Sequence, residues 1–180
     1  MNSLKLISLE TKMETAFLAM TNASCDLHAP WVSPPLEHKD FVAFYERYQQ
    51  DNQKSYVVFK EEKIVGVFNI SEIVRGYFQS AYLGFYVAKS FQGQGYMRQG
   101  LQLLLQEAFT NLNLHRLEAN VQPNNMRSIK LIKQGGFRKE GYSPRYLKIN
   151  EEWRDHERWA ITVEDWRHHK ENRNENTQSG

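Results

Sequence analysis

Tyr82 to Leu105 reads YLGFYVAKSFQGQGYMRQGLQLLL, and the rest of the chain is organised around this stretch. Its beginning belongs to an apolar run, Ala81 to Ala88, which predicts a buried strand. Phe91-Gln92-Gly93-Gln94-Gly95 follows as a glycine-punctuated turn. Beyond it Met97, Leu101, Leu104, Leu105, Ala108 and Leu112 recur at helical spacing and make one apolar stripe. Strand, glycine turn and helix start together bring free backbone N–H groups to the positive end of a helix dipole. Such a place suits an anion, phosphate above all.

Two common phosphate binders are excluded. The dinucleotide fingerprint needs a third glycine where Arg98 stands, and the phosphate loop of nucleotide hydrolases needs a Gly-Lys-Ser/Thr that is absent. The pattern Gln92-x-x-Gly95-x-Met97 instead resembles the pyrophosphate loop of the GNAT acyltransferases, Gln/Arg-x-x-Gly-x-Gly/Ala, and departs from it at Met97. A second stretch, VQPNNMRSIKLIKQGGFRKEGY from Val121 to Tyr142, is similar to the second signature of that family. Asn125 and Ser128 fill its Asn-x-x-Ser helix start, and Gly136-Phe137 its end. VRGYFQSAYLGF (Val74 to Phe85) and YLKINEEWRDH (Tyr146 to His156) resemble the ribosomal-protein N-acetyltransferases of the Rim group, especially those that acetylate an N-terminal alanine. The resemblance runs from about Lys54 to Thr162 and is looser over the first fifty residues.

Composition agrees with one soluble globular domain: 180 residues, 41% hydrophobic and 24% charged. A formal net charge of +2 gives no reason to expect bulk nucleic-acid binding. The single cysteine, Cys25, cannot form an internal disulfide and is expected to be a buried or half-buried small hydrophobe. MNSLKLISLETK at the N-terminus has no signal-peptide apolar core, and no apolar run approaches the ~20 residues of a membrane span. No membrane partner is expected and a cytoplasmic location is.

Along the chain, Leu4 to Leu9 offers a short strand and Glu14 to Asn22 a short helix. His28 to Pro35 cannot be helical, because its prolines remove donors and restrict their neighbours, and Trp31 anchors it as a loop. A helix over about Glu37 to Gln50 precedes a hairpin, Ser55–Phe59 and Ile64–Val74, turning at 60–63. Arg116 to Val121 alternates, with Leu117, Ala119 and Val121 on one face. Pro123 and Asn124 break that strand and cap a helix ending at Gly135-Gly136. Phe137–Ile149 and Trp153–Val163 close the fold as an antiparallel pair. Residues 1–166 form one domain, and the polar tail 167–180 is expected to be disordered. The order of elements predicts an α+β class, with a mixed sheet covered by helices. The resemblance implies the GNAT fold: six to seven mostly antiparallel strands flanked by helices.

The resemblance also implies acetyl-CoA as co-substrate, with no metal. The acceptor would be an amine, most often a protein N-terminal α-amine of a ribosomal protein. A small-molecule amine such as a polyamine or antibiotic, or an inactive CoA-binding module, are the alternatives. Thioester-to-amine transfer needs a held donor, an amine that has lost its proton and a stabilised thiolate. The sequence has no Gly-x-Ser-x-Gly elbow, which fits direct attack without a covalent intermediate. Backbone amides of Gln92, Gly93, Gln94, Gly95, Tyr96 and Met97 are expected to hold the pyrophosphate, and Phe85 and Val87, by resemblance, the pantetheine amides. Arg98, Arg127, Lys130 and Lys133 can meet the 3′-phosphate or form a solvated helix face. Asn125, in the family, faces the cofactor, and Ser128 protonates or hydrogen-bonds the thiolate; helix capping is the competing reading for both. The tyrosine many relatives carry seven residues after that Asn is Ile132 here. Glu118 is the candidate base, acting through water, or else an exposed carboxylate paired with Arg116 or His115. Asn120 stands where some relatives have a glutamate and cannot act as a base. Asp155 and His156 are either acceptor contacts or ordinary hairpin charges.

Overall fold

A computed structural model describes residues 4–178, with side chains to residue 172. Seven strands form one sheet in the order β1-β2-β3-β4-β5-β7-β6. They are β1 (Lys5–Ser8), β2 (Lys54–Lys60), β3 (Lys63–Val74), β4 (Ser80–Val87), β5 (Arg116–Val121), β6 (Arg138–Ile149) and β7 (Glu152–Thr162). Only β4 and β5 run parallel, as a strand–helix–strand crossover requires. The helices are α1 (Glu14–Ala23), α2 (Cys25–His28), α3 (His38–Tyr48), α4 (Tyr96–Gln106), α5 (Met126–Gln134) and α6 (Val163–Gln178).

The sheet is packed on both faces. On one, Leu101, Leu104 and Leu105 of α4 and Ile129 and Ile132 of α5 meet Val58, Phe68, Leu83, Leu117 and Ile161. On the other, Phe17 and Phe41 of α1 and α3 close over Val57, Val67 and Tyr86. The second cover stops at β4. Tyr82 and Gly84 are therefore exposed, and β4 alternates where a strand buried on both faces was expected. The α4 stripe holds through Ala108, but Glu107–Asn111 widens into a π turn, with Leu112 N donating to Glu107 O at 3.0 Å.

Three further expectations change. Cys25 is exposed, because it opens a one-turn helix whose inward residue is His28. The cap of α5 is Asn125 and not Asn124, its side chain accepting from Ser128 N at 3.2 Å. The tail expected to be disordered from 167 continues as α6 to Gln178; 179 and 180 lie outside the described residues. Trp166 stacks on Phe109 at 5.5 Å, and the His169 ring packs beside Gly136. Val163, Trp166 and His169 are its inward residues among those described, too few on an otherwise polar helix to leave a periodic signal.

Candidate active site

The parallel pairing of β4 and β5 is short. It joins Ser80–Arg116, Ala81–Leu117 and Tyr82–Glu118 and then stops. From Leu83 onward β4 pairs only with β3, while Ala119 to Val121 pair only with β7. The two strands splay apart. Ala88 N donates to Val65 O, and antiparallel ladders alternate their bonded pairs. The N–H and C=O groups of Phe85 and Val87 therefore face away from β3, into the splay.

A cleft of about 970 Å³ opens there. Phe85 and Val87 form its floor, Gln92 to Gly95 with Met97 and Arg98 one wall, and Asn124 to Ser128 the other. Gly93 (φ 76°) and Gly95 (φ 81°) adopt the left-handed conformation that the turn demands. The N–H groups of Gly93, Gly95, Tyr96, Met97 and Arg98 have no acceptor among the described residues. They converge on the start of α4, as an anion site does. A Cβ at Gly93 or Gly95 would meet no protein atom within 4 Å, so the space is open for a ligand.

Met97 departs from the family's small residue without blocking the turn. Its side chain lies across Gly66 of β3, where a Cβ would stand 2.5 Å from the Met97 sulfur. Tyr96 does not line the cleft. Its hydroxyl accepts from Lys60 Nζ and its ring packs on Phe91, so only its backbone N–H serves the loop.

Asn125 and Ser128 both border the cleft. The Asn125 side chain caps α5, whereas the Ser128 hydroxyl has no partner among the described residues and faces the cleft free. Arg98, Arg127 and Lys130 give the rim three cations. Lys133 turns away, its ammonium 5.3 Å from the Trp159 ring centroid. Ile132 is wholly buried on the α5 face against the sheet.

Glu118 is not brought to this cleft. It projects from the opposite face of β5, and Arg116 Nε donates to its carboxylate at 2.8 Å. Arg116 also pairs with Glu140, whose proximity pushes the guanidinium pKa up and the Glu140 carboxyl down. Tyr82 stands beside Glu118 in register; its phenol pKa is raised, chiefly by hydrogen bonding with Tyr146. Asn120 shares that face, its Oδ1 buried without a donor among the described residues. His115 pairs with Glu164 at the strand start, away from the cleft. Asp155 accepts from Tyr142 Oη and from Arg145 N, and His156 is buried.

Four residues of the first segment complete the cleft: Leu27, His28, Trp31 and Val32. Trp31 is legible in the sequence as a loop anchor; His28 carries no local signal. The His28 ring donates from Nε2 to Val87 O at 2.8 Å, and burial pushes its pKa below the ordinary value. Ser24 Oγ accepts from Lys89 N beside it, tying the same corner to the end of β4.

The profile of the acetyltransferase (GNAT) domain family matches residues 5–138. The chain is 42% identical over 106 residues to the [Ribosomal protein uS5]-alanine N-acetyltransferase of Escherichia coli, a match spanning 59% of this chain and 55% of that protein. It is 27% identical to the spermidine N(1)-acetyltransferase of Vibrio cholerae over 89% of this chain and 94% of that one. The structure of Mycobacterium smegmatis RimJ in complex with CoA-disulfide superposes with a TM-score of 0.82 and 28% identity, covering 90% of this chain and 83% of that one. With its seven-stranded sheet, splayed β4 and β5 and glycine loop at the start of α4, the chain belongs to the GNAT acetyltransferase family and is an acetyl-CoA-dependent N-acetyltransferase.

Proposed function

We propose that the acceptor is the α-amine of a protein N-terminus beginning with alanine or a similarly small residue, a ribosomal protein being the natural class. One observation carries this reading: among the described residues, no aspartate or glutamate lines the cleft. An α-amine has a pKa of about 7.7–8.0, so roughly a tenth is neutral and nucleophilic at pH 7. Lysine, near 10.4, is neutral in less than about a thousandth of molecules. A site without a strong base serves the first far better than the second. The identity with the alanine acetyltransferase supports the same acceptor. In this reading the amides from Gln92 to Met97 hold the pyrophosphate and Phe85 and Val87 the pantetheine. Asn125 keeps Ser128 in place, and the Ser128 hydroxyl meets the departing thiolate. Glu118 acts through water on an amine arriving over the Tyr82 face.

The second reading, a polyamine acceptor, is supported by the likeness to a spermidine acetyltransferase. A polyamine is cationic at pH 7 and calls for several carboxylates; among the described residues none lines the cleft, and Glu118 on the Tyr82 face is held by Arg116. The test compares two peptides and spermidine at pH 7. One peptide has a free N-terminal alanine and no lysine; the other is N-blocked with one internal lysine. The free N-terminus is expected to be acetylated fastest. Faster turnover of the blocked peptide or of spermidine overturns the assignment.

A further inference from the structure

Tyr82, Glu118, Asn120 and Arg158 share the sheet face that α1 and α3 leave uncovered. Register sets this: Tyr82 pairs with Glu118, Glu118 with Ala160 and Asn120 with Arg158, and directly paired residues lie on one face. In the reading above, the amine arrives over this face. Its charges do not balance. Glu118 accepts from Arg116, and Glu140 pairs with both Arg116 and Arg138. Arg138 also pairs with Asp165. Arg158 is exposed and has no acceptor among the described residues. It is nonetheless placed. Gly141 of β6 is its register partner, and a Cβ there would stand 2.6 Å from Arg158 Nη2 and 3.3 Å from Cζ and Nε. The guanidinium therefore lies across bare backbone, in a space that a side chain at 141 would fill. Between it and β4 the Asn120 Oδ1 is buried with no donor among the described residues.

We infer that Arg158 selects the acceptor by receiving a carboxylate, the side chain of an Asp or Glu at the third or fourth residue of the acceptor chain. The inference rests on the α-amine reading above and deepens it. Neighbouring strands lie about 4.8 Å apart, so a guanidinium over β6 stands roughly 12 Å across the sheet from the β4–β5 splay. An extended chain advances about 3.4 Å per residue. An N-terminus at the splay, its chain crossing β5 and β7, thus brings its third or fourth side chain over Gly141. The guanidinium fork offers a carboxylate two hydrogen bonds at once, and here both are free to form. Each carboxylate already on the face is taken by Arg116 or Arg138, so none competes for Arg158. A polyamine would bring only positive charge to the same place.

The experiment uses three lysine-free, C-terminally amidated peptides that begin with alanine and differ only at their third and fourth residues, which are both Glu, both Gln or both Arg. Spermidine is assayed beside them. The unaltered enzyme, Arg158→Gln and Arg158→Glu are compared at low salt, reading kcat/KM for each acceptor and the KM for acetyl-CoA. The unaltered enzyme is expected to favour the Glu peptide over the Gln peptide by about threefold to fivefold, the scale of an ion pair open to solvent. Arg158→Gln should level the peptides to within about twofold, and Arg158→Glu should favour the Arg peptide, with the acetyl-CoA KM kept within about twofold in both. A merely structural role for Arg158 would not reverse the preference. In about 1 M salt, where the Debye length is about 3 Å, the preference should vanish. Peptides that the unaltered enzyme turns over equally, or a preference for Glu that survives Arg158→Glu, overturn the carboxylate site and leave the α-amine reading standing. Turnover of spermidine with none of the peptides overturns the α-amine reading, and the carboxylate site with it.

Discussion

Met97 lies against the bare backbone of Gly66. A Cβ added at Gly66 would stand 2.5 Å from the Met97 sulfur and 2.6 Å from the Tyr86 carbonyl oxygen. The large residue at the end of the glycine motif is thus accommodated by an absent side chain on the neighbouring strand. Gly66→Ala is expected to destabilise the protein by about 1–3 kcal/mol through overpacking. Gly66→Ala combined with Met97→Ala should recover part of that loss, the Tyr86 carbonyl keeping the rest. Urea unfolding of the two single variants and the double one measures the coupling; strictly additive losses would show that the two positions do not interact.

Ser128 and Asn125 separate chemistry from capping. The Asn125 side chain holds the first turn of α5, so Asn125→Ala should cost about 1 kcal/mol of stability. The Ser128 hydroxyl has no partner among the described residues. Ser128→Ala should leave stability unchanged and slow acetyl transfer by about tenfold to a hundredfold, the worth of a hydrogen bond to a developing charge of about 1.5–3 kcal/mol. Single-turnover rates alongside unfolding curves give both readings. Near-normal transfer by Ser128→Ala would leave the thiolate to water.

Glu118 can assist only as far as the amine needs it. About a tenth of an α-amine is already neutral at pH 7, so Glu118→Gln should slow kcat/KM by no more than about tenfold there. The deficit should vanish near pH 9, where the amine is neutral unaided. Arg116 keeps its partner Glu140 in this variant, so the fold should survive. A hundredfold loss persisting at pH 9 would mark Glu118 as a direct base.

Two buried histidines make stability fall on mild acidification. Burial pushes both His28 and His156 below the ordinary value of 6.5. The unfolded chain therefore takes up protons first, and their contribution is lost as pH falls below about 6.5 toward the folded-state values. Each can contribute a slope of up to about 1.4 kcal/mol per pH unit in that window. His28→Gln and His156→Gln should flatten the decline between pH 7.5 and 5.5, measured by urea unfolding. The carboxyls of Asp155 and Glu140, held below their ordinary values by Tyr142 and Arg116, act only at lower pH. An unaltered slope in both variants would assign the decline elsewhere.

The sequence by itself determined the strand from about Ala81, the glycine turn and the helix that begins after it, the helix after β5 though not which asparagine caps it, and the closing hairpin. Those features are local. Positive φ at Gly93 and Gly95, the α4 stripe and the Asn125 cap each depend on residues within a turn or two of one another. Recognition of the family followed from the same short motifs. Tertiary structure alone decided the rest. That β4 and β5 part after Tyr82 depends on sheet register, and that Glu118 is excluded from the cleft depends on which face of β5 the helices cover. Tyr96 lies inside a legible motif yet turns its side chain toward Lys60, a partner thirty-six positions away. Asn150 reaches Ala29 across 121 residues, and α6 forms because Trp166 finds Phe109. A pattern read along a chain reports periodicity and turn chemistry; contacts between residues far apart in sequence exist only once the sheet has brought them together.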